Sequence, residues 1–319
     1  MNSKTFAWAG FIYAGLGDNF GYTYHSQKVQ ADMEAQGVTW DDEARVALHW
    51  VPPHFFKPIP DRVNVLYSMF ETWPVPPEFR QAFKTADHVV VPCQWNADRL
   101  ADMGVKAEVI SLGVDDALMS YADHGYAPGE AFHFIYVGAP SPRKGWDLLM
   151  PAFAEAFTPA EPVALTIKTT TTGKPFFGEA GHGRVFVDSR PYTSPALVQL
   201  YQQAHVTVLP SRGEGFGATA AEAMACGSLV LAPAHTGLRD FINSKTAMVL
   251  PTRQIKATFG CECMVPEPTV TGLAQAMRRA YEDYAGTADT RRRGANLILS
   301  RFTLAQTARR LTDYLEALK

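Results

Sequence analysis

The sequence predicts an α/β protein of two doubly wound domains, each a parallel sheet with helices on both faces. Three observations carry this expectation. Short β-branched or apolar runs alternate with helix-length patterns along all 319 residues, and strands joined by helix-length crossovers form parallel βαβ units. The second half repeats the plan of the first. Between the halves, Tyr121–Glu130 has the Gly/Pro-containing polar character of a linker and no periodicity. At roughly 100–200 residues per domain the length also fits two.

The first domain is expected over 1–120. Lys4 followed by the apolar stretch Phe6–Leu16 has the look of a secretory leader. A strand entering a glycine loop explains it better, because Gly15, Gly17 and Gly21 lead into the helical pattern Tyr22–Gln36. Strand Val46–Leu48 follows, then Arg62–Tyr67, helix Pro77–Lys84, strand His88–Pro92, helix Trp95–Met103 and strand Ala107–Leu112. The second domain is expected over 131–301. Its order is strand Phe132–Val137, helix Trp146–Phe157, strand Val163–Lys168, helix Ser194–Ala204, strand Val206–Leu209, helix Ala218–Cys226 and strand Leu229–Ala232. Thr169–Gly183 and Thr252–Pro268 read as long irregular connections, a kind that is often functional.

With 47% hydrophobic, 19% charged and 12% aromatic residues, the composition is that of a globular protein and excludes a disordered or fibrous one. No run approaches the ~20 apolar residues of a bilayer span. Cys93, Cys226, Cys261 and Cys263 make no disulfide framework or metal-finger spacing, so reduced thiols and a cytoplasmic location are expected. Charge is uneven: residues 1–120 carry 9 Lys+Arg against 15 Asp+Glu, and 121–319 carry 20 against 17. An anionic ligand is therefore expected in the second half. Five of the six Trp lie in the first 95 residues, forming either a small-domain core or a stacking surface for sugars or bases.

The strongest local signal is Ser211-Arg-Gly-Glu-Gly-Phe-Gly-Ala-Thr-Ala-Ala-Glu-Ala-Met-Ala-Cys-Gly227, which follows a strand. Glu214 lies in the glycine loop and Glu222 inside the helix that the loop opens. Backbone N–H groups near Gly217, Ala218 and Thr219 would be unpaired donors at a helix N-terminus, a ready anion site. From Gly217 to Glu222 the helix rises roughly 7–8 Å, so one element can reach both a diphosphate and a sugar hydroxyl. Glycine at 213, 215 and 217 exceeds what a simple capped turn requires.

The pair Glu214 and Glu222, set within Glu-Gly-Phe-Gly and Glu-Ala-Met-Ala-Cys-Gly, resembles the signature of retaining GT-B glycosyltransferases of family 4, the glycosyl transferases group 1. Val137-Gly138 followed by Pro142-Arg143-Lys144-Gly145-Trp146 is similar to that family's strand, basic loop and helix. Val91-Pro92-Cys93-Gln94-Trp95-Asn96, Gly104-Val105 and Leu112-Gly113-Val114-Asp115 resemble the end of its acceptor-side domain. The tail 302–319 is similar to its closing helix, which crosses back to the first domain. The resemblance implies a GT-B fold of two Rossmann-like domains facing a cleft.

It also implies roles. Glu214, Lys144 and Arg143 are the expected catalytic group, with Lys144 matching the family's lysine six positions after Gly138. Donor contacts are expected from Gly15, Gly17, Lys168, Gly215, Phe216, Gly217, Ala218, Thr219 and Glu222. Taken alone, a basic pair reads as a solvated face, and Lys168 reads equally as a solvated strand-end lysine. Gly15-Leu-Gly-Asp-Asn-Phe-Gly21 is phosphate-loop-like, and the resemblance sets such a loop across the cleft from the donor. His49 and Glu71 are acceptor-side candidates; His49 reads more readily as a core histidine, and Glu71 equally as a surface or capping carboxylate. No Asp-x-Asp occurs, so no metal and no cofactor beyond the nucleotide-sugar co-substrate is expected; fixed cations would stabilise the leaving diphosphate.

The expected activity is metal-independent, retaining transfer of a sugar from a UDP- or GDP-sugar to a hydroxyl acceptor: a glycan, lipid-linked sugar, small molecule or modified base. Ala139, standing where the family often has arginine, and the missing histidine at 68–71 motivate a non-catalytic nucleotide-sugar-binding partner subunit as the alternative. The 15–21 loop motivates an NAD-dependent oxidoreductase. The acidic first half argues against tight binding of a nucleic-acid backbone.

Overall fold

The computed structural model describes residues 4–10, 21–123, 125–127, 130–169 and 184–319. The first domain comprises β1 (Lys4–Gly10), α1 (Gly21–Ala35), β2 (Val38–Trp40), β3 (Val46–Trp50), β4 (Val63–Tyr67), α2 (Pro77–Thr85), β5 (His88–Val91), α3 (Gln94–Ala101) and β6 (Ala107–Val109). The second comprises β7 (Phe132–Val137), α4 (Trp146–Ala156), β8 (Val163–Lys168), β9 (Val185–Asp188), α5 (Ser194–Gln203), β10 (Val206–Val208), α6 (Ala218–Ala225), β11 (Leu229–Ala232) and β12 (Met248–Val249). Then follow β13 (Thr252–Thr258), β14 (Glu262–Pro268), α7 (Val270–Glu282), α8 (Ala288–Arg301) and α9 (Leu304–Glu316).

Among the described residues each domain holds a six-stranded sheet, in the orders β2-β1-β3-β4-β5-β6 and β12-β11-β10-β7-β8-β9, with every pairing parallel. Strands such as β3 are buried at every position, which is what coverage on both faces demands. One apolar cluster runs from Phe6, Val29 and Trp50 to Ala221, Phe241 and Leu311 and so spans both domains. Two others fill the far faces, one around Phe134, Leu149 and Met277, the other around Leu66, Phe83 and Leu100. The expected strands and helices fall within a few residues of those observed.

The tail returns to the first domain. Val114 and Thr303 form a parallel bridge, the Val114 N–H donates to the Phe302 carbonyl at 2.9 Å, and α9 packs on α1 and β1. Thr303 starts α9 with a reciprocal capping box with Gln306.

One expectation is corrected. Thr252–Pro268 is not an irregular connection but an antiparallel hairpin in full register, from Thr252 opposite Pro268 to Thr258 opposite Glu262. Its tip reaches the first domain, where the Cys261 thiol donates to the Pro74 carbonyl at 2.9 Å. Cys263 lies buried on the inner face of the hairpin.

Candidate active site

The chain crosses from sheet to helix after β7 and after β10, and both crossings face the first domain. After β10, Gly213 sits where a Cβ would lie 2.2 Å from the Glu71 carbonyl, so only glycine lets the two backbones approach this closely. Gly217 begins α6 at φ 100°, a left-handed conformation suited to glycine, and among the described residues no side chain caps the helix there. The first amides of α6 therefore keep their donor capacity, and the positive end of the helix dipole faces the same way.

Glu214 is 4% exposed. The Lys144 ammonium donates to both of its carboxylate oxygens at 2.8 Å, and Arg143 Nη1 stands 3.8 Å from Oε2. Burial acts to raise the Glu214 pKa, but the two cations outweigh it and hold the group below the ordinary glutamate range. Its backbone is pinned as well: its N–H donates to Thr236 Oγ1 at 3.0 Å, and its carbonyl accepts from Gly237 at 2.9 Å. Arg143 also donates to the Gly213 carbonyl at 2.5 Å and lies 3.5 Å from Glu71 of the first domain. Thus Glu71, Arg143, Lys144 and Glu214 form one continuous charged chain across the cleft.

Glu222 lies one turn inside α6 and contrasts with Glu214. Burial pushes its pKa up to about 7, opposed by the Tyr201 hydroxyl that donates to Oε2 at 2.9 Å and by the charge of Lys144. A carboxyl near half-ionised at neutral pH can accept a hydrogen bond in one state and donate in the other.

Of the expected site residues, the structure brings together Glu214, Lys144, Arg143, Glu71, Gly215, Gly217, Ala218, Thr219 and Glu222. A Cβ on Gly215 would meet Met69 Sδ of the first domain at 2.7 Å. Three others are held by contacts of their own, which corrects the ligand roles expected of Phe216 and Lys168 and bears out the core reading of His49. The Phe216 side chain is not available to a ligand: it is 2% exposed and packs against Phe241 and Phe302, with ring centroids 5.3 and 6.0 Å away. Lys168 is no free cation, because its ammonium donates to the carbonyls of Thr169 and Arg190 at 2.9 and 2.7 Å, tying the end of β8 to the segment after β9. His49 is a core histidine, with Nε2 2.9 Å from Asn64 Oδ1 and its ring edge-on to Phe56. Gly15 and Gly17 lie outside the described residues.

Sequence reasoning missed Arg212. Its guanidinium grips Asp147 of α4 through two bonds of 2.8 Å and Glu267 of β14 at 2.7 Å, clamping the basic loop, the glycine loop and the hairpin together. The three residues lie tens of positions apart, so no local spacing reveals them. The composition near 211–214 offers one signal: an arginine beside a buried loop must find carboxylates somewhere.

Residues 131–283 match the profile of the family described as glycosyl transferases group 1. Among curated relatives, D-inositol 3-phosphate glycosyltransferase 1 of Catenulispora acidiphila is 29% identical over 188 residues, which is 52% of this chain and 45% of the relative. The chain spans about half or less of the length of the first such relatives. Among solved structures, sucrose-phosphate synthase from Thermosynechococcus elongatus superimposes with a TM-score of 0.69 at 18% identity, covering 93% of this chain and 78% of the other. An Anabaena protein solved with UDP and glucose gives 0.65 at 17%, covering 92% and 81%. These likenesses show the fold, GT-B, and the family match favours a transferase over an oxidoreductase. Among the described residues no helix is long and apolar enough to cross a membrane. The matched segment, residues 131–283, contains the glycine loop and Glu214, so the second domain is similar to the glycosyl transferases group 1 family in the region of this site.

Proposed function

We propose that the protein is a retaining, metal-independent glycosyltransferase that moves a sugar from a UDP- or GDP-sugar to a hydroxyl acceptor. One observation carries this reading: Lys144 and Arg143 converge with the uncapped start of α6 on the buried Glu214. Positive potential is thereby fixed where the charge of a departing diphosphate develops, which is the arrangement that stabilises such a transition state. The bond between the anomeric carbon and the diphosphate oxygen breaks, and the acceptor oxygen bonds to that carbon on the same face. The acceptor proton passes to the departing diphosphate. Glu214, kept ionised by its cations, accepts hydrogen bonds from sugar hydroxyls, and Glu222 accepts them from the ribose. The first domain covers the site and excludes water, which otherwise competes as acceptor. The UDP bound by the Anabaena neighbour supports a uridine nucleotide as the first donor to try.

The test is consumption of a panel of UDP- and GDP-sugars, followed as nucleotide release. The proposal expects one to be consumed by the wild type and spared by Lys144→Ala. Consumption of none, with nucleotide still bound, points to the non-catalytic partner subunit instead.

A further inference from the structure

Beside the charged cluster lies a cavity of about 470 Å³, a size that suits a small ligand. It opens between the domains, with one wall from the first domain (Glu71, Trp73, Trp95 and Arg99), another from Arg239 of the second, and a roof from the hairpin β13–β14 through Met264. Glu71 is shared: it lines the cavity, and its carboxylate lies 3.5 Å from Arg143, which in turn approaches Glu214. A molecule in this chamber would therefore end at the Glu71 side of the reacting cluster.

The lining is chemically specific. Trp73 and Trp95 are half-buried and flank Phe70, with ring centroids 6.0 and 5.4 Å from it. Indole faces held in this way pack against the C–H faces of sugar rings. Of the three arginines on the walls, Arg212 is saturated by Asp147 and Glu267. Arg99 and Arg239 are 37% and 39% exposed and are each paired with one aspartate, Asp102 and Asp98 respectively. Five donors sit on each guanidinium, and Arg99 Nε is buried with no hydrogen-bond partner among the described residues. Two incompletely engaged guanidiniums beside two indoles suit an acidic group on a sugar.

Resting on the transferase reading above, we propose that this chamber, roofed by the hairpin, is the acceptor subsite and that it takes a saccharide bearing an acidic group, phosphate or carboxylate. The ring stacks on Trp73 and Trp95, the acidic group meets Arg99 and Arg239, and the reacting hydroxyl faces Glu71.

The test is calorimetric titration of the full chain with glucose 6-phosphate, glucuronic acid and glucose, with UDP and GDP titrated separately. At least one acidic sugar should bind tenfold or more tighter than glucose, and the tighter of the two identifies the acidic group. Arg99→Gln and Met264→Glu should each weaken that binding about tenfold. Met264 is 57% exposed, so its replacement leaves the core intact, and nucleotide binding by the same variants reports their fold. Equal affinity for the three sugars, no binding of any, or unchanged binding in both variants overturns the acceptor subsite. Failure of both UDP and GDP to bind the wild type instead removes the donor reading, while the sugar titrations still report on the chamber.

Discussion

Glu214 and Glu222 lie eight positions apart on one loop and helix, yet their surroundings drive them in opposite directions. Both are desolvated. Glu214 has an ammonium on both oxygens and a guanidinium nearby, so it stays ionised. Glu222 has a tyrosine hydroxyl and only a distant cation, so burial prevails and its pKa reaches about 7. The contacts each side chain makes, rather than their spacing, set which carboxylate is a fixed anion and which can exchange a proton.

The sharpest way to break this contrast is to remove the cation. Lys144→Ala should lower nucleotide release from the sugar donor by about 10²–10³, the usual loss when one preorganised charge is deleted from such a site. Glu214→Gln should lower transfer comparably, and it leaves Lys144 without its anion, whereas Arg143 keeps Glu71. A steady-state assay of both variants checks this, and turnover near wild type in either contradicts the proposed roles.

Stability comes next. Arg212→Ala removes the bonds to Asp147, which is 41% exposed, and to the buried Glu267, which keeps Arg253 at 3.1 Å; losing charged hydrogen bonds of this kind costs about 1.5–3 kcal/mol, so its denaturation midpoint should fall. Circular dichroism against urea gives the value. An unchanged midpoint would mean the clamp across the basic loop, glycine loop and hairpin carries no stability.

Smaller effects sharpen the Glu222 half. If ribose hydroxyls donate to the ionised carboxylate, a pKa of about 7 makes nucleotide affinity rise about tenfold from pH 6 to 8. Glu222→Gln should flatten that slope. For the free protein the sign is opposite. Between the ordinary glutamate range and about 7, the folded state holds a proton that the unfolded state has lost, so stability falls as pH rises through that window. The loss is on the order of 1–3 kcal/mol, and Glu222→Gln should remove it from a series of melting curves at pH 5 to 8.

Much of this was legible before any coordinates. The parallel strands announce themselves because burial on both faces leaves continuous apolar runs such as Phe132–Val137, and the glycine loop does so because close backbone approach excludes side chains. The hairpin hid for an equally physical reason. Its strand β13 is largely exposed and polar, and Pro266 and Pro268 argue against a strand wherever ladder donors are needed. Phe216, amid glycines, reads as a ligand contact, whereas its ring completes a core with Phe241 and Phe302, residues 25 and more positions away. Lys168 and His49 show the same limit: a polar residue at a strand end becomes a ligand group or a structural tie according to which carbonyl or amide the fold sets beside it.

The most direct test of the central claim is a crystal structure with UDP or GDP bound. The account predicts the diphosphate within hydrogen-bond distance of Lys144 Nζ and of the Ala218 and Thr219 amides, with the ribose at Glu222. A nucleotide lodged elsewhere, with the Lys144–Glu214 pair undisturbed and the start of α6 uncontacted, would contradict it.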